Sequence, residues 1–172
     1  MDATNRRAKI LEMINNDPAP VSASTLAKAL GVSRQVIVGD IALLRARGRE
    51  IIATARGYII PEFRDAGCYI GKIACCHTAA ETAAELYVIV DLGATVVNVI
   101  VEHEIYGEIT GQLNLKTRDD ADAFINRVAA SEVRLLSALT LGVHLHTVSC
   151  RNKVHFEQVC HALGEAGFLL QE

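Results

Sequence analysis

RQVIVGDIALLRARGREIIATARGYII, residues 34–60, decides the N-terminal half of the fold. Its first part sets Ile37, Ile41 and Leu44 three and four positions apart, the spacing of one buried helix face. Gln35, Val38 and Ala42 point the other way. Ser33 stands before the run as a helix cap, and Gly48 stops it. The pattern then changes. Ile51–Thr54 and Tyr58–Ile60 are short β-like runs around Ala55-Arg56-Gly57, a hairpin with a basic tip.

Working outward toward the N-terminus, TLAKAL reads as a short helix capped by Ser22 or Ser24 and followed by Gly31. Two helices joined by a tight glycine turn form a helix-turn-helix plan. Ala27 is small where the helices cross, Gly31 makes the turn, and Ile37 is the branched apolar residue of the second helix. Ala8–Asn16 carries Ile10, Leu11, Met13 and Ile14 at helical spacing and ends at Asp17-Pro18, because a residue before proline avoids the α region. With the hairpin as a wing, residues 4–61 read as a winged helix-turn-helix. Such a module lays its second helix in the DNA major groove. Ser33, Arg34 and Gln35 would then meet base edges or phosphates, Arg suiting guanine and Gln adenine. Arg45, Arg47 and Arg56 would meet phosphates, which position without reading sequence. Gly39 is the odd residue. It lies mid-helix on the outward face, where glycine costs about 1 kcal/mol against alanine.

Charge supports this division. The whole chain has a net charge of −3. Residues 1–60 hold nine Lys and Arg against five Asp and Glu, whereas residues 61–172 hold eight against fifteen. A basic module joined to an acidic one implies that only the first meets polyanions. No apolar run approaches the ~18 uncharged residues of a membrane helix, and MDATNRRAKILEMINN has no signal-peptide core. The five cysteines, Cys68, Cys75, Cys76, Cys150 and Cys160, are odd in number and contain no CxxC. They read as small core hydrophobes rather than a disulfide framework. A soluble, cytoplasmic protein is the expectation.

PEFRDAG, from Pro61, reads as a linker. Beyond it, strands are expected at Tyr69–His77, Thr95–Glu102, Glu108–Leu115, Val143–Cys150 and, briefly, Phe168–Gln171. Helices are expected at Ala79–Asp91, Asp119–Ala130 (capped by Thr117 or Asp119) and Val154–Glu165. The order fits a sheet with helices packed on it, in the manner of a split βαβ unit. The fold class is therefore α+β: a winged helix-turn-helix over residues 1–61, then an α/β-sandwich over residues 62–172.

GVHLHT, residues 142–147, carries the chemistry of the second part. A strand has period two, so His144 and His146 share a face. His77 lies where the first strand passes into a helix, and Glu81 and Glu85 follow four and eight residues later, stacked on one helix face. Three imidazoles and a carboxylate suit zinc, nickel, copper or iron. Spacing leaves Glu81 and Glu85 equally eligible. Cys75 and Cys76 point to opposite faces and cannot both join His77, so both are assigned to the core. His103, between Glu102 and Glu104, reads as a solvated turn residue, and His155 and His161 receive no role. An open metal position could activate water. With no second carboxylate placed as a general base, however, an enzyme is not expected.

Together these segments resemble a known family. Residues 32–60 look like the winged-helix part of the niacin-responsive repressors of NAD biosynthesis and niacin uptake. HTAAETAAEL from His77, VEHEIYGEITGQLNL from Val101 and GVHLHT from Gly142 resemble their three-histidine domain, in the same order and spacing. The resemblance covers nearly the whole chain. It implies a homodimer on a palindromic operator, nicotinic acid as co-repressor, and one divalent transition metal ion, nickel or zinc. The implied metal ligands are His77, Glu85, His144 and His146, and His103 with Tyr106 falls near the effector. Two residues depart from the family: Gly39 replaces a larger polar residue, and Leu141 stands where a second glycine is usual. The alternative is a metal-sensing winged-helix repressor without an organic effector.

Overall fold

The computed structural model describes residues 2–60 and 67–170. The chain forms two compact units, Met1–Phe63 and Arg64–Glu172. Most of the expected linker, Pro61 to Ala66, lies outside the described residues.

In the first unit, α1 (Ala3–Asn16) begins five residues before the apolar spacing indicates. The Asp2 carboxylate caps it, accepting from the Thr4 and Asn5 amides, which satisfies donors that an uncapped first turn leaves bare. Ser22, not Ser24, caps α2 (Ala23–Leu30), and Gly31 ends it in the left-handed conformation at φ 66°. α3 (Arg34–Ala46) follows at once, capped by Ser33. Ile37, Ile41 and Leu44 are buried against Ile10, Ile14, Leu26 and Ala27. One buried charge sits on α3: Asp40 is 4% exposed and binds Arg6 at 2.5 Å and Arg7 at 3.3 Å. This pair of arginines ties α1 to α3. The wing is an antiparallel hairpin of β1 (Ile52–Thr54) and β2 (Gly57–Ile59). Val21 exchanges two backbone hydrogen bonds with Tyr58, so the segment before α2 is stitched to the wing.

The second unit is a four-stranded antiparallel sheet with helices on it. Its strands are β3 (Tyr69–Cys76), β4 (Thr95–His103), β5 (Gly107–Leu115) and β6 (Val143–Cys150), in the order β3-β6-β4-β5. β3 and β4 run parallel because each is antiparallel to β6 between them. β3, α4 (Thr82–Asp91) and β4 thus form a βαβ unit split by the last strand, as the element order indicates. α5 (Arg118–Ala129) is capped by Thr117, and α6 (Lys153–Glu165) by Asn152. Leu86, Ile89 and Val90 of α4 and Val159 and Leu163 of α6 are buried, with Ile73, Val96 and Val148 of the sheet among the same core residues. The expected strand at Phe168–Gln171 reduces to one bridge, Leu169 to Cys75, with two flanking hydrogen bonds; Gln171 lies outside the described residues. That short pairing still covers part of the free edge of β3, an edge that would otherwise be open to another strand. Among the described residues no helix is long and apolar enough to cross a membrane.

Gly39 is exposed on α3, and a Cβ built there meets nothing within 4 Å. The fold itself therefore does not require glycine at this position. Gly39→Ala is expected to stabilise the first unit by about 1 kcal/mol, read as a higher urea midpoint with an unchanged denaturant slope.

Candidate metal centre and nucleic-acid interface

Glu85 is the second buried surprise of a chain rich in surface charge. It lies in the first turn of α4 and is 0% exposed. Its Oε2 lies 2.7 Å from His77 Nε2 and 3.3 Å from His146 Nε2, and its Oε1 lies 3.2 Å from His144 Nε2. The three rings meet edge to face, with His144 4.9 Å from His77 and 4.8 Å from His146 between centroids. The structure therefore brings together all four residues named from the resemblance. Glu81, which spacing left open, is occupied elsewhere. It accepts from the Thr78 amide and hydroxyl as a capping box and is exposed.

Each element contributes for a local reason. β6 is paired on both sides, so the alternation that aims His144 and His146 at the helices is fixed by two hydrogen-bond ladders. His77 follows the last residue of β3 and is placed by a close approach of two chain segments. Gly142 sits at φ 95°, and a Cβ there would lie 2.3 Å from the His77 carbonyl oxygen. Leu141 beside it also adopts a left-handed conformation, φ 53°, with its side chain 96% exposed. The backbone turn that glycine usually makes is thus made by a leucine.

The outer nitrogens decide what the cluster can do. His77 Nδ1 faces the Thr78 carbonyl, His144 Nδ1 the Gly142 carbonyl and His146 Nδ1 the Asn98 carbonyl, each at 2.8 Å. A carbonyl only accepts, so each Nδ1 carries the hydrogen. In neutral imidazole, Nε2 is then a bare lone pair. Three such lone pairs would point at one carboxylate, which is repulsive. Protonating all three rings would instead leave a buried net charge of two. A divalent cation placed between them removes the conflict, and histidines held through Nδ1 by carbonyls are the usual arrangement around a metal. The donor set fits a transition metal of the zinc or nickel kind. Without an ion, a proton takes part of that role. Burial pulls the His77 pKa down, but its hydrogen bonds to Glu85 and the Thr78 carbonyl outweigh burial and hold it above the ordinary imidazole value. Burial likewise works against ionised Glu85, yet the facing imidazoles of His144, His146 and His77 together hold it far below the usual carboxylate range.

Cys75 is a core residue, as the sequence reading has it, and it also lies beside the cluster. It is fully buried, faces the same side of the sheet as its cross-strand partner His144, and its Sγ lies within 4.8 Å of a Glu85 carboxylate oxygen and a His144 ring nitrogen. Cys75 and His77 are two apart, the spacing of one strand face. His155, left without a role, is structural: its Nε2 lies 2.7 Å from the Leu92 carbonyl, and its Nδ1 accepts from the Arg151 amide.

His103 and Tyr106 form a separate pair at the tip of the β4–β5 hairpin. Their rings lie 5.1 Å apart at 33°, and His103 Nδ1 accepts from the Ile105 and Tyr106 amides. Tyr106 is 75% exposed. Among the described residues no hydrogen bond or ring contact joins this pair to the buried cluster. Register nonetheless puts both at one end of the sheet, since Ile100 pairs with Leu145 and the strands continue from there to His103 and to Val143. On the first unit, Arg34, Gln35, Arg45 and Arg47 are exposed and Arg56 is half-buried at the wing tip. The Ser33 hydroxyl caps its own helix at 3.3 Å from the Val36 amide.

Comparison with known proteins agrees with both units. Residues 6–59 match an HTH domain and residues 70–172 a 3H domain. The transcription repressor NadR of Bacillus subtilis is 40% identical over 98% of this chain and 94% of its own length. The probable transcription repressor NiaR of Thermotoga maritima is 36% identical over 97% of this chain and 94% of its own.

Gly142→Ala forces the β6 loop away from His77. It is expected to destabilise the second unit by about 1–3 kcal/mol, as overpacking does. Leu141→Gly, which removes only a solvent-facing side chain from a strained backbone, should be neutral or slightly stabilising. Chemical denaturation of the two variants in parallel measures both.

Proposed function

The chain belongs to the 3H-domain family of transcription repressors, with a DNA-binding HTH domain at its N-terminus, and from that premise we propose that nicotinic acid is its co-repressor. In this reading a homodimer binds a palindromic operator and closes genes of NAD biosynthesis or niacin uptake when niacin is plentiful. The observation that carries the reading is the convergence of three imidazoles, each oriented by a backbone carbonyl, on the buried Glu85 carboxylate. His77, Glu85, His144 and His146 would hold one divalent nickel or zinc ion. Such an ion supplies a Lewis-acidic position that suits a carboxylate or a pyridine nitrogen.

The chain's own residues supply the rest. His103 and Tyr106 offer two neighbouring, tilted rings at the same end of the sheet, suited to a flat aromatic acid. On the DNA side, Ser33, Arg34 and Gln35 lie at the start of α3 for base edges, and Arg45, Arg47 and Arg56 meet phosphates. The linkage requirement is simple: nicotinic acid must bind the DNA-competent dimer more tightly than the other state, or it shifts nothing. The two copies of α3 would then match half-sites about one DNA turn apart. A protein of this kind works in the cytoplasm.

A second reading has its own support. His144, His146 and Glu85 are almost sealed from solvent, which favours a repressor that senses the metal itself, with no organic effector. Calorimetric titration of metal-loaded protein separates the two. Selective binding of nicotinic acid over nicotinamide is the expected result. Binding of neither, with operator affinity set by metal alone, would give the second reading its place.

Two substitution pairs test the assignments. Arg34→Ala with Gln35→Ala should lower specific operator affinity by at least tenfold, since each good base contact is worth about 1–3 kcal/mol, with circular dichroism unchanged. Unaltered specific binding would mean that another element reads the bases. His144→Ala with His146→Ala should abolish bound metal in elemental analysis. Undiminished metal content would place the ion elsewhere.

A further inference from the structure

The cluster described above leaves a charge imbalance. A divalent ion with three neutral imidazoles and one carboxylate carries a net charge of one, in a place where Glu85 is 0% and His146 2% exposed. Buried charge is expensive unless compensated. No Lys or Arg among the described residues touches the cluster, and a further anion is what the balance asks for. One anion-forming group is already there. Cys75 is 0% exposed, and its Sγ, a carboxylate oxygen of Glu85 and a ring nitrogen of His144 lie within 4.8 Å of one another. Donors at about 2.0–2.3 Å from a common tetrahedral ion stand roughly 3.3–3.8 Å apart, so the three, now within 4.8 Å, would have to draw together by side-chain adjustment to close on one centre. β3 aims the sulfur there. Cys75 pairs with His144 and Ile73 with His146, all on the helix-covered face of the sheet.

Resting on the metal reading above, we propose that the Cys75 thiolate is a ligand of the bound ion, making the centre a mixed sulfur, nitrogen and oxygen site that is electrically neutral. Binding would release the thiol proton to solvent, because a thiol on a metal is deprotonated. The consequence is selectivity. Thiolate donors favour late or soft ions over manganese and magnesium, so zinc or cobalt should outcompete manganese here by more than the imidazoles alone provide.

The test uses the full chain loaded with cobalt(II) or zinc(II) under reducing conditions. Cobalt-loaded wild-type protein should show visible d–d absorption together with an intense thiolate-to-cobalt charge-transfer band in the near ultraviolet. Cys75→Ser and Cys75→Ala should keep the visible bands and lose the near-ultraviolet one. Cys68→Ser, at an exposed cysteine, should keep both. X-ray absorption of zinc-loaded wild-type protein needs no variant, and should show a sulfur scatterer at about 2.3 Å. Visible bands without charge transfer, a charge-transfer band that survives in Cys75→Ser, or a zinc shell of nitrogen and oxygen alone would overturn the proposal while leaving the metal reading intact. No metal-dependent absorption at all would overturn both.

Discussion

One buried carboxylate governs the second half of this protein. Among the described residues no lysine or arginine answers the charge of Glu85, and it has no water-facing surface. A carboxylate in that position costs several kcal/mol unless positive charge meets it. Three imidazoles are gathered on it from three places in the chain: the end of β3, and two positions on β6. Because each ring spends its outer nitrogen on a carbonyl, the inner nitrogens cannot all donate to Glu85 without accumulating charge. The cluster is thus incompletely satisfied by protein atoms, and a cation resolves the conflict more economically than protons do.

The sheet order exists in step with that requirement. Placing β6 between β3 and β4 puts the histidine pair at the centre of the sheet rather than at an edge. Both ladders then hold the strand in the sheet, and the crossover helix of the split βαβ unit delivers Glu85 to the histidines. The first unit obeys a parallel rule on a smaller scale. There, Asp40 is buried on α3 and answered by two arginines from α1. Arg6 and Arg7 therefore serve the fold of the module, although by sequence they look as available to DNA as Arg34 or Arg45.

Much of this is legible in the sequence. Ser33, Gly31 and the Ile37–Ile41–Leu44 stripe marked the helix pair because caps, turns and buried faces are local properties. The parity of His144 and His146 placed both on one face for the same reason. What spacing could not say was non-local. The helix expected from Ala79 begins instead with a 3-10 turn, Ala79–Glu81, so Glu81 is exposed and caps locally with Thr78, while Glu85 meets His144 and His146 far along the chain. The resemblance chose Glu85 where the residues alone did not. Cys75 is buried in the core as its residue type suggests, and strand parity alone does not say that it also lies beside Glu85 and His144. The start of α1 was missed because Asp2 caps a turn with no apolar stripe. Among the described residues the expected final strand is a single bridge, Leu169 to Cys75.

The central place of β6 also fixes how the buried centre communicates with solvent. Its amides are held on both sides by neighbouring strands, so they exchange with water chiefly when the whole sheet opens, the rarest fluctuation a domain makes. The rim of the same site is another matter. His77 hangs on a loop closed by a 3.4 Å bond from its amide to the Gly142 carbonyl, beside a leucine in an uncomfortable backbone state. Entry and exit of an ion would therefore be governed by the breathing of residues 140–142, on a faster clock than unfolding. The centre would be thermodynamically part of the core yet kinetically part of a loop.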